Sequence, residues 1–152
     1  MKLAVPKETK EKESRVALTP DIVKSLIDAG FECIVERGAG LSSYFDDKAY
    51  SDVGASIVDS VYEEADVLLK INAPSGDEIK SMKAGAVLMS FMFAATNPDL
   101  VEACAANQIS AFSMDAIPRI SKAQSMDALS SQSNLGGYKS VLLAANELGK
   151  VF

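Results

Sequence analysis

A short apolar strand, a capped helix and a second apolar strand open the chain, and this order limits the folds it can adopt. The strands are Lys2–Pro6 and Glu32–Glu36, and the helix runs from Thr19 to Gly30. Thr19 can cap the first turn, and Gly30 can take the left-handed conformation that ends a helix. The apolar face of this helix consists of Ile22, Val23, Leu26 and Ile27. A strand, a helix and a strand in this order predict a parallel βαβ unit with a right-handed crossover.

The alternation of strands and helices continues along the chain. Four more strands are predicted, at Ala55–Val58, Asp66–Ile71, Ala86–Phe91 and Ile109–Met114. Helices are predicted within Tyr44–Gly54, from Ser75 to Met82, from Asn97 to about Asn107, and from about Ser131 to Leu148. We therefore predict an α/β fold over residues 1–152, with one doubly wound, mainly parallel sheet of about six strands, as in Rossmann-like and flavodoxin-like proteins.

Composition excludes several partners and sites. The formal charge is −6, so the chain has no basic surface for nucleic acid or for an anionic membrane. No apolar run reaches the roughly 20 residues that span a bilayer, and we expect no direct insertion into a membrane. Cys33 and Cys104 lie in apolar segments without a C-x-x-C spacing, which favours buried, reduced thiols in the cytoplasm.

The chain contains no histidine. This excludes a Ser-His-Asp triad, a Cys-His pair, a histidine general base and a histidine-containing zinc site within the chain, and no metal site is expected. The remaining chemistry is of the kind in which a cofactor carries the reactive atom and the protein positions it, and hydride transfer is one example.

A glycine-rich stretch after the second strand, Gly38-Ala-Gly-Leu-Ser-Ser43, resembles a dinucleotide-binding fingerprint only in part. Ser43 replaces the third glycine, and no patterned helix follows directly. We interpret the stretch as a turn that needs positive φ angles.

The polar loop from Arg119 to Asn134 follows the last predicted strand and precedes the last predicted helix. In an open α/β sheet, ligands bind outside the carboxyl ends of the strands, where this loop would lie. The candidate ligand-binding side chains are Arg119, Gln124, Asp127, Ser130 and Ser131. Together they could hold an amide-bearing ring or a phosphate. The alternative is structural: an ion pair between Arg119 and Asp127 stiffens the loop, and the serines cap the helix.

The same loop carries a family resemblance. The stretch Pro118–Asn134, followed by Gly137-Tyr-Lys139, resembles a loop in the soluble NAD-binding domain of the alpha subunit of proton-translocating NAD(P) transhydrogenase. The N-terminal segments Val5–Thr9 and Glu13–Pro20 are similar to the opening of both transhydrogenase alpha subunits and alanine dehydrogenases.

The resemblance implies roles for particular residues. Arg119, Gln124, Asp127 and Ser130 would lie at the nicotinamide end of bound NAD(H). Arg119 and Asp127 would form the frame of the site, Asp127 and Ser130 would bind the carboxamide, and Gln124 would reach towards the partner nucleotide. Gln124 and Asp127 are thereby the residues nearest the chemistry. That chemistry would be direct hydride transfer from NADH to NADP⁺, which a domain of the beta subunit holds, coupled to proton translocation.

The resemblance also implies what surrounds the chain. We expect a second, glycine-rich Rossmann subdomain beyond Phe152 and weak NAD affinity with no activity for residues 1–152 alone. The full-length domain is expected to form a homodimer, and the enzyme's soluble part to lie in the cytoplasm, peripheral to the inner membrane. Residues 150–152 are predicted to begin an extended connection.

Two other functions are set against this one. In alanine dehydrogenases the arginine that matches Arg15 binds the substrate carboxylate, and a lysine and a histidine carry the substrate chemistry. Here their positions correspond to Asn72 and Phe93, so the acid and base are missing. Met89, Met92 and Phe93 are predicted to be core residues. The other alternative is a non-catalytic binding module that keeps the fold.

Overall fold

A computed structural model describes residues 1–150, and it contains six strands and five α-helices within that range. The strands are β1 Lys2–Val5, β2 Glu32–Glu36, β3 Ser56–Val58, β4 Val67–Asn72, β5 Val87–Phe91 and β6 Ser110–Ser113. The helices are α1 Pro20–Asp28, α2 Asp47–Asp52, α3 Gly76–Lys80, α4 Pro98–Ala106 and α5 Ala128–Glu147. The extended connection predicted from residue 150 falls on residues 151 and 152, which lie outside the described range.

All six strands form one parallel sheet in the order β3-β2-β1-β4-β5-β6. The predicted doubly wound, six-stranded α/β fold is confirmed. The order reverses between β1 and β4, so the crevice that such sheets use for ligands opens at the carboxyl ends of these two strands. The parallel register of β1 with β4 consists of two residue pairs, Leu3 with Val67 and Ala4 with Leu68.

Alternate residues of the strands enter two cores on opposite faces of the sheet. On one face Leu3 and Val5 pack with Val23 of α1 and Tyr50 of α2. The other core contains Ala4, Leu68 and Leu88 of the strands, Ile79 of α3 and Cys104 of α4. Because both faces are covered by helices, the strands are apolar almost throughout. Cys33 and Cys104 are free and buried, as predicted.

Several helix ends differ in detail from the predictions. Asp46 caps α2, and Ser75 with Glu78 forms the predicted capping box on α3. Thr19 and Asn97 make no capping hydrogen bond through their side chains. Asn97 instead donates from Nδ2 to the carbonyls of Met92 and Phe93, at 3.0 and 3.1 Å, because the chain turns back sharply after β5.

Two predicted core positions are wrong. Ile22 is 49% exposed, because the buried stripe of α1 is centred on Val23. Phe93 is also 49% exposed and adopts a left-handed conformation with φ of 48°, which turns the chain out of β5. Met92 is buried and Met89 is half-buried, in agreement with the prediction for them.

The glycine-rich stretch after β2 is a packed turn. Gly38 has the predicted positive φ, 73°, whereas Gly40 does not. A Cβ on Gly40 would lie 2.7 Å from the carbonyl oxygen of Phe45 and from the ring of Tyr50, so glycine is needed there for space. The N–H of Gly38 donates to Asp47 Oδ1 at 2.7 Å, so this N–H is already used and is not directed at a ligand.

The described chain divides into two compact units, Met1–Ser113 with the sheet and a second unit from Met114. In the second unit a 3₁₀ helix, Ser121–Met126, leads into α5. No residue of α5 is buried. Two adjacent glycines in a helix suggest that another group packs closely against the helix backbone. Within residues 1–150, however, no atom outside the helix's own backbone lies within 4 Å of a Cβ placed on Gly136 or Gly137.

Candidate functional site

The predicted polar loop is brought together by the junction of the 3₁₀ helix with α5. A cavity of about 300 Å³ forms there, lined by Arg119, Ile120, Ser121, Gln124, Asp127 and Ser130. All four residues assigned to nucleotide binding from the sequence therefore face one cavity within the second unit. Ser131 does not line this cavity, because its hydroxyl turns back to the carbonyl of Asp127 at 3.1 Å.

Asp127 is the N-cap of α5, a role that the structural alternative gave to the serines. Its Oδ1 accepts the backbone N–H of Ser130 at 2.9 Å, and its Oδ2 accepts the hydroxyl of Ser130. The helix begins at Ala128, three residues before the predicted start, because Asp127 satisfies the first free N–H groups. The hydroxyl of Ser130, its backbone N–H and the charge of Arg119 hold the pKa of Asp127 below its ordinary value.

Within the described residues, Arg119 and Asp127 do not form the direct ion pair that the structural alternative assumed. No nitrogen of Arg119 lies within 4.0 Å of the Asp127 carboxylate, among the contacts of residues 1–150. The guanidinium acts on Asp127 through its charge at longer range. Arg119 and Gln124 are exposed side chains on the cavity wall. The cavity thus combines a cation, an amide, a hydroxyl and a carboxylate, a set of donors and acceptors that can hold an amide-bearing ring or a phosphate.

A second polar cluster occupies the carboxyl ends of β1 and β4 in the first unit. This switch-point network consists of Glu8, Glu13, Arg15, Lys70, Asn72, Glu78 and Tyr62. Glu8 Oε1 accepts the N–H of Ile71 at 2.6 Å, and Oε2 accepts both nitrogens of Asn72 at 3.3 and 3.1 Å. The Nζ of Lys70 lies 3.6 Å from Glu8 and 3.1 Å from Glu78, with 2% of the lysine side chain exposed.

Sequence reasoning missed the acidic members of this network. The loop Lys7–Arg15 has the charged composition of a solvated connection, but the side chains of Glu8 and Glu13 are only 4% and 8% exposed. Glu8 binds Ile71 and Asn72, and Glu13 binds Asn72 as well as its neighbour Arg15; the contacts to β4 join residues about sixty positions apart and cannot be inferred from local pattern. A signal was nevertheless present, because Lys70 stands in the apolar strand β4 and a buried ammonium requires a buried counter-ion.

Glu13 holds Arg15 in a two-pronged ion pair. Arg15 donates from Nε to Oε1 at 2.8 Å and from the terminal nitrogen to Oε2 at 2.7 Å. Asn72 donates to Oε2 as well, at 2.8 Å. The side-chain hydrogen bonds from Arg15, opposed by burial and helped by Asn72, lower the pKa of Glu13 to about 2.

We expect the stabilising effect of Glu13 to disappear in acid. A lowered folded-state pKa means that the contribution is complete above the unfolded value near 4.5 and is lost as the pH falls from there towards about 2. Because Arg15 is 43% exposed, Glu13→Gln should cost only about 1–2 kcal/mol at pH 7. Urea unfolding at pH 7, 4.5, 3.5 and 2.5 should show that the free energies of unfolding of wild type and Glu13→Gln converge as the pH falls. A gap independent of pH would contradict this assignment.

Metal sites and membrane spans were both sought among the described residues. Among residues 1–150 no three histidine, cysteine, aspartate or glutamate side chains are grouped to hold a metal ion. Within the same range, no helix combines the length and the apolar character that crossing a bilayer requires.

The chain has close relatives of known name. The family model for the alanine dehydrogenase/PNT N-terminal domain matches residues 4–136. The chain is 45% identical, over its whole length, to the NAD(P) transhydrogenase subunit alpha of Haemophilus influenzae, and spans 30% of that protein. It is 38% identical to an alanine dehydrogenase of Staphylococcus epidermidis over 72% of the chain and 30% of that protein.

A solved structure repeats the fold. The transhydrogenase from Sinorhizobium meliloti superposes with a TM-score of 0.94 at 40% identity, over 99% of this chain and 46% of that one. The chain thus spans less than half the length of these relatives. Its match to transhydrogenases is both longer and higher in identity than its match to the alanine dehydrogenase.

Proposed function

Because the chain belongs to the alanine dehydrogenase/PNT N-terminal domain family, we propose that it is the N-terminal part of the alpha subunit of a proton-translocating NAD(P) transhydrogenase. The observation that carries this proposal is the convergence of Arg119, Gln124, Asp127 and Ser130 on one cavity. In this role the loop holds the nicotinamide end of NAD(H), whose ring supplies or accepts the hydride when bound.

The cavity fits one ring rather than a whole dinucleotide. Its volume of about 300 Å³ is at the small end of ligand sites. The remainder of the nucleotide would then be bound by a second, glycine-rich subdomain beyond Phe152. For this reason we propose that residues 1–152 form the first subdomain of a two-subdomain NAD-binding unit, with little activity alone.

The residues of the loop orient the ring and perform no proton chemistry. Asp127 and Ser130 provide acceptors for a carboxamide, and the hydrogen bonds from Ser130, helped by the charge of Arg119, hold the pKa of Asp127 below its ordinary value. Gln124, exposed on the preceding 3₁₀ helix, is free of a structural role in capping and can reach towards a second nucleotide. Hydride transfer requires the reacting atoms about 3–3.5 Å apart, so orientation dominates the rate.

The partners follow from this assignment. We propose that the second nucleotide, NADP(H), is held by a domain of the beta subunit, and that the full-length alpha domain forms a homodimer. The assembly would place this domain in the cytoplasm, peripheral to the inner membrane, with proton movement through other polypeptides.

An alanine dehydrogenase activity is disfavoured by two positions. Asn72 stands where those enzymes use a lysine, and its side chain is occupied by Glu8 and Glu13. Phe93 stands near their histidine, and the chain has no histidine to replace it. Substrate oxidation would therefore lack both its acid and its base. A non-catalytic module that binds nucleotide remains the second candidate.

The proposal is tested in membranes that contain the complete enzyme carrying this chain. We expect NADH to reduce NADP⁺. We also expect this reaction to slow when a proton gradient across the membrane opposes the proton movement coupled to it. NAD(H) binding without any reduction of NADP⁺ would support the non-catalytic module instead. Absence of NAD(H) binding would contradict both.

A further inference from the structure

Phe93 has an unusual backbone conformation at the carboxyl end of β5. It is left-handed, with φ of 48°, a region that bulky residues seldom adopt. Three donors converge on its carbonyl oxygen and hold the turn: the N–H and hydroxyl of Thr96, at 2.9 and 3.0 Å, and Nδ2 of Asn97, at 3.1 Å. Asn97 therefore does not cap α4 with its side chain. The chain keeps this turn at the cost of a strained residue and a missing side-chain cap, and such strain is concentrated at functional sites.

The turn presents an aromatic surface, which we call the Phe91–Phe93 platform. The two rings are stacked, with centroids 6.4 Å apart and planes inclined by 22°. Phe91 is half-buried in the sheet, whereas Phe93 is 49% exposed. Residues 84–98 carry no charged side chain. The platform is therefore a neutral aromatic surface whose backbone is held in one conformation by hydrogen bonds.

The platform adjoins the crevice at which the strand order reverses. Phe91 pairs in register with Asn72, the last residue of β4, and Asn72 belongs to the switch-point network. Ligands of open α/β sheets bind outside the carboxyl ends of the strands beside such a reversal. Packing alone would require neither an aromatic ring nor a left-handed backbone at position 93. A flat ligand ring requires an aromatic face, and the platform provides one.

We propose that the Phe91–Phe93 platform stacks against a planar heteroaromatic ring of the bound dinucleotide, with Phe93 as the contacting residue. The proposal rests on the proposed function for the identity of this ligand, NAD(H). Aromatic rings attract one another in offset-stacked arrangements, and this attraction adds to that of apolar burial. NAD(H) carries two rings of the required shape, nicotinamide and adenine.

The test measures binding by calorimetry to the full-length alpha subunit that contains this chain. Phe93→Leu keeps an apolar side chain without a ring, and we expect this variant to bind NADH about fivefold more weakly. Phe93→Gly suits the left-handed backbone and should therefore fold, yet NADH affinity should fall by about tenfold or more. Phe93→Tyr keeps the ring and should stay within about twofold of wild type.

Two smaller ligands identify the ring that stacks. ADP-ribose lacks nicotinamide, and reduced nicotinamide mononucleotide lacks adenine. If Phe93→Leu weakens only the mononucleotide, the platform holds nicotinamide. If Phe93→Leu weakens only ADP-ribose, the platform holds adenine.

Tyr44→Gly is the matched control. Tyr44 is also left-handed, with φ of 66°, and is 98% exposed, but it lies in the turn after β2. Its replacement should change none of these affinities, and a loss of NADH affinity equal to that of Phe93→Gly would contradict the proposal.

Unchanged NADH affinity in Phe93→Leu and Phe93→Gly overturns the stacking role while the proposed function stands. The same holds if these variants change only the temperature of unfolding, because Phe93 would then serve packing. If wild type binds neither NADH nor ADP-ribose, the stacking role and the proposed function fail together.

Discussion

Glu8→Ala is expected to destabilise the chain by about 3–5 kcal/mol, the range observed when one partner of a buried ion pair is removed. Glu8 is 4% exposed and Lys70 is 2% exposed, so the lysine ammonium would be left with Glu78 alone. The N–H groups of Ile71 and Asn72 would also lose the carboxylate that accepts from them. Urea unfolding at pH 7, followed by circular dichroism, measures the change.

Glu11→Ala is the matched control. Glu11 lies in the same loop, its side chain is 89% exposed, and its ion pair is a 3.9 Å contact with Lys12. Its removal should change the free energy of unfolding by less than about 0.5 kcal/mol. Glu8→Gln keeps one acceptor oxygen, so its free energy of unfolding should lie between those of Glu8→Ala and Glu11→Ala. This variant keeps the test informative if Glu8→Ala does not fold. Equal stability of Glu8→Ala and Glu11→Ala would contradict the assigned role.

Gln124→Asn is expected to slow hydride transfer in the assembled enzyme by about 100-fold, the cost of a misplacement near 1 Å. The substitution keeps the amide but withdraws it by one methylene, so its reach towards the second nucleotide is lost. NADH affinity should change by less than about twofold, since Arg119, Asp127 and Ser130 keep their positions in the cavity. Single-turnover stopped-flow kinetics and equilibrium titration separate the two effects.

The control for Gln124→Asn is Ser125→Ala. Ser125 lies on the same 3₁₀ helix but outside the cavity lining, so this variant should transfer hydride at the wild-type rate. A wild-type rate for Gln124→Asn would remove Gln124 from the transfer step. A large loss of NADH affinity in the same variant would instead place Gln124 among the groups that bind NADH itself.

The fold could be predicted because its signals are local. The bounds of β2 were predicted to the residue, and the capping box of Ser75 and Glu78 is written within four residues of sequence. Phe93 is a position where local sequence signals gave the wrong prediction. Its apolar side chain predicted burial, but the turn after β5 requires a left-handed residue there, and the ring stacks on Phe91 with centroids 6.4 Å apart.

The candidate site was predictable in membership but not in its hydrogen bonds. The four residues assigned from the loop line one cavity. The ion pair between Arg119 and Asp127, which the structural alternative assumed, does not form among the described residues, because the Asp127 carboxylate instead accepts from the backbone N–H and the hydroxyl of Ser130. Ser130 therefore binds Asp127 first. The roles of the four residues towards a nucleotide stay predictions.

The brief pairing of β1 with β4 makes the sheet two three-stranded ribbons joined along a short seam. Leu3 with Val67 and Ala4 with Leu68 are the paired positions of that seam. Beyond them, Glu8 accepts a hydrogen bond from Ile71 at the end of β4. Each ribbon has longer internal pairing than the seam between them. Opening of the sheet should therefore begin along this seam, where the two residue pairs are supported by the hydrogen bonds between Lys2 and Asp66 at one end and by those of Glu8 at the other.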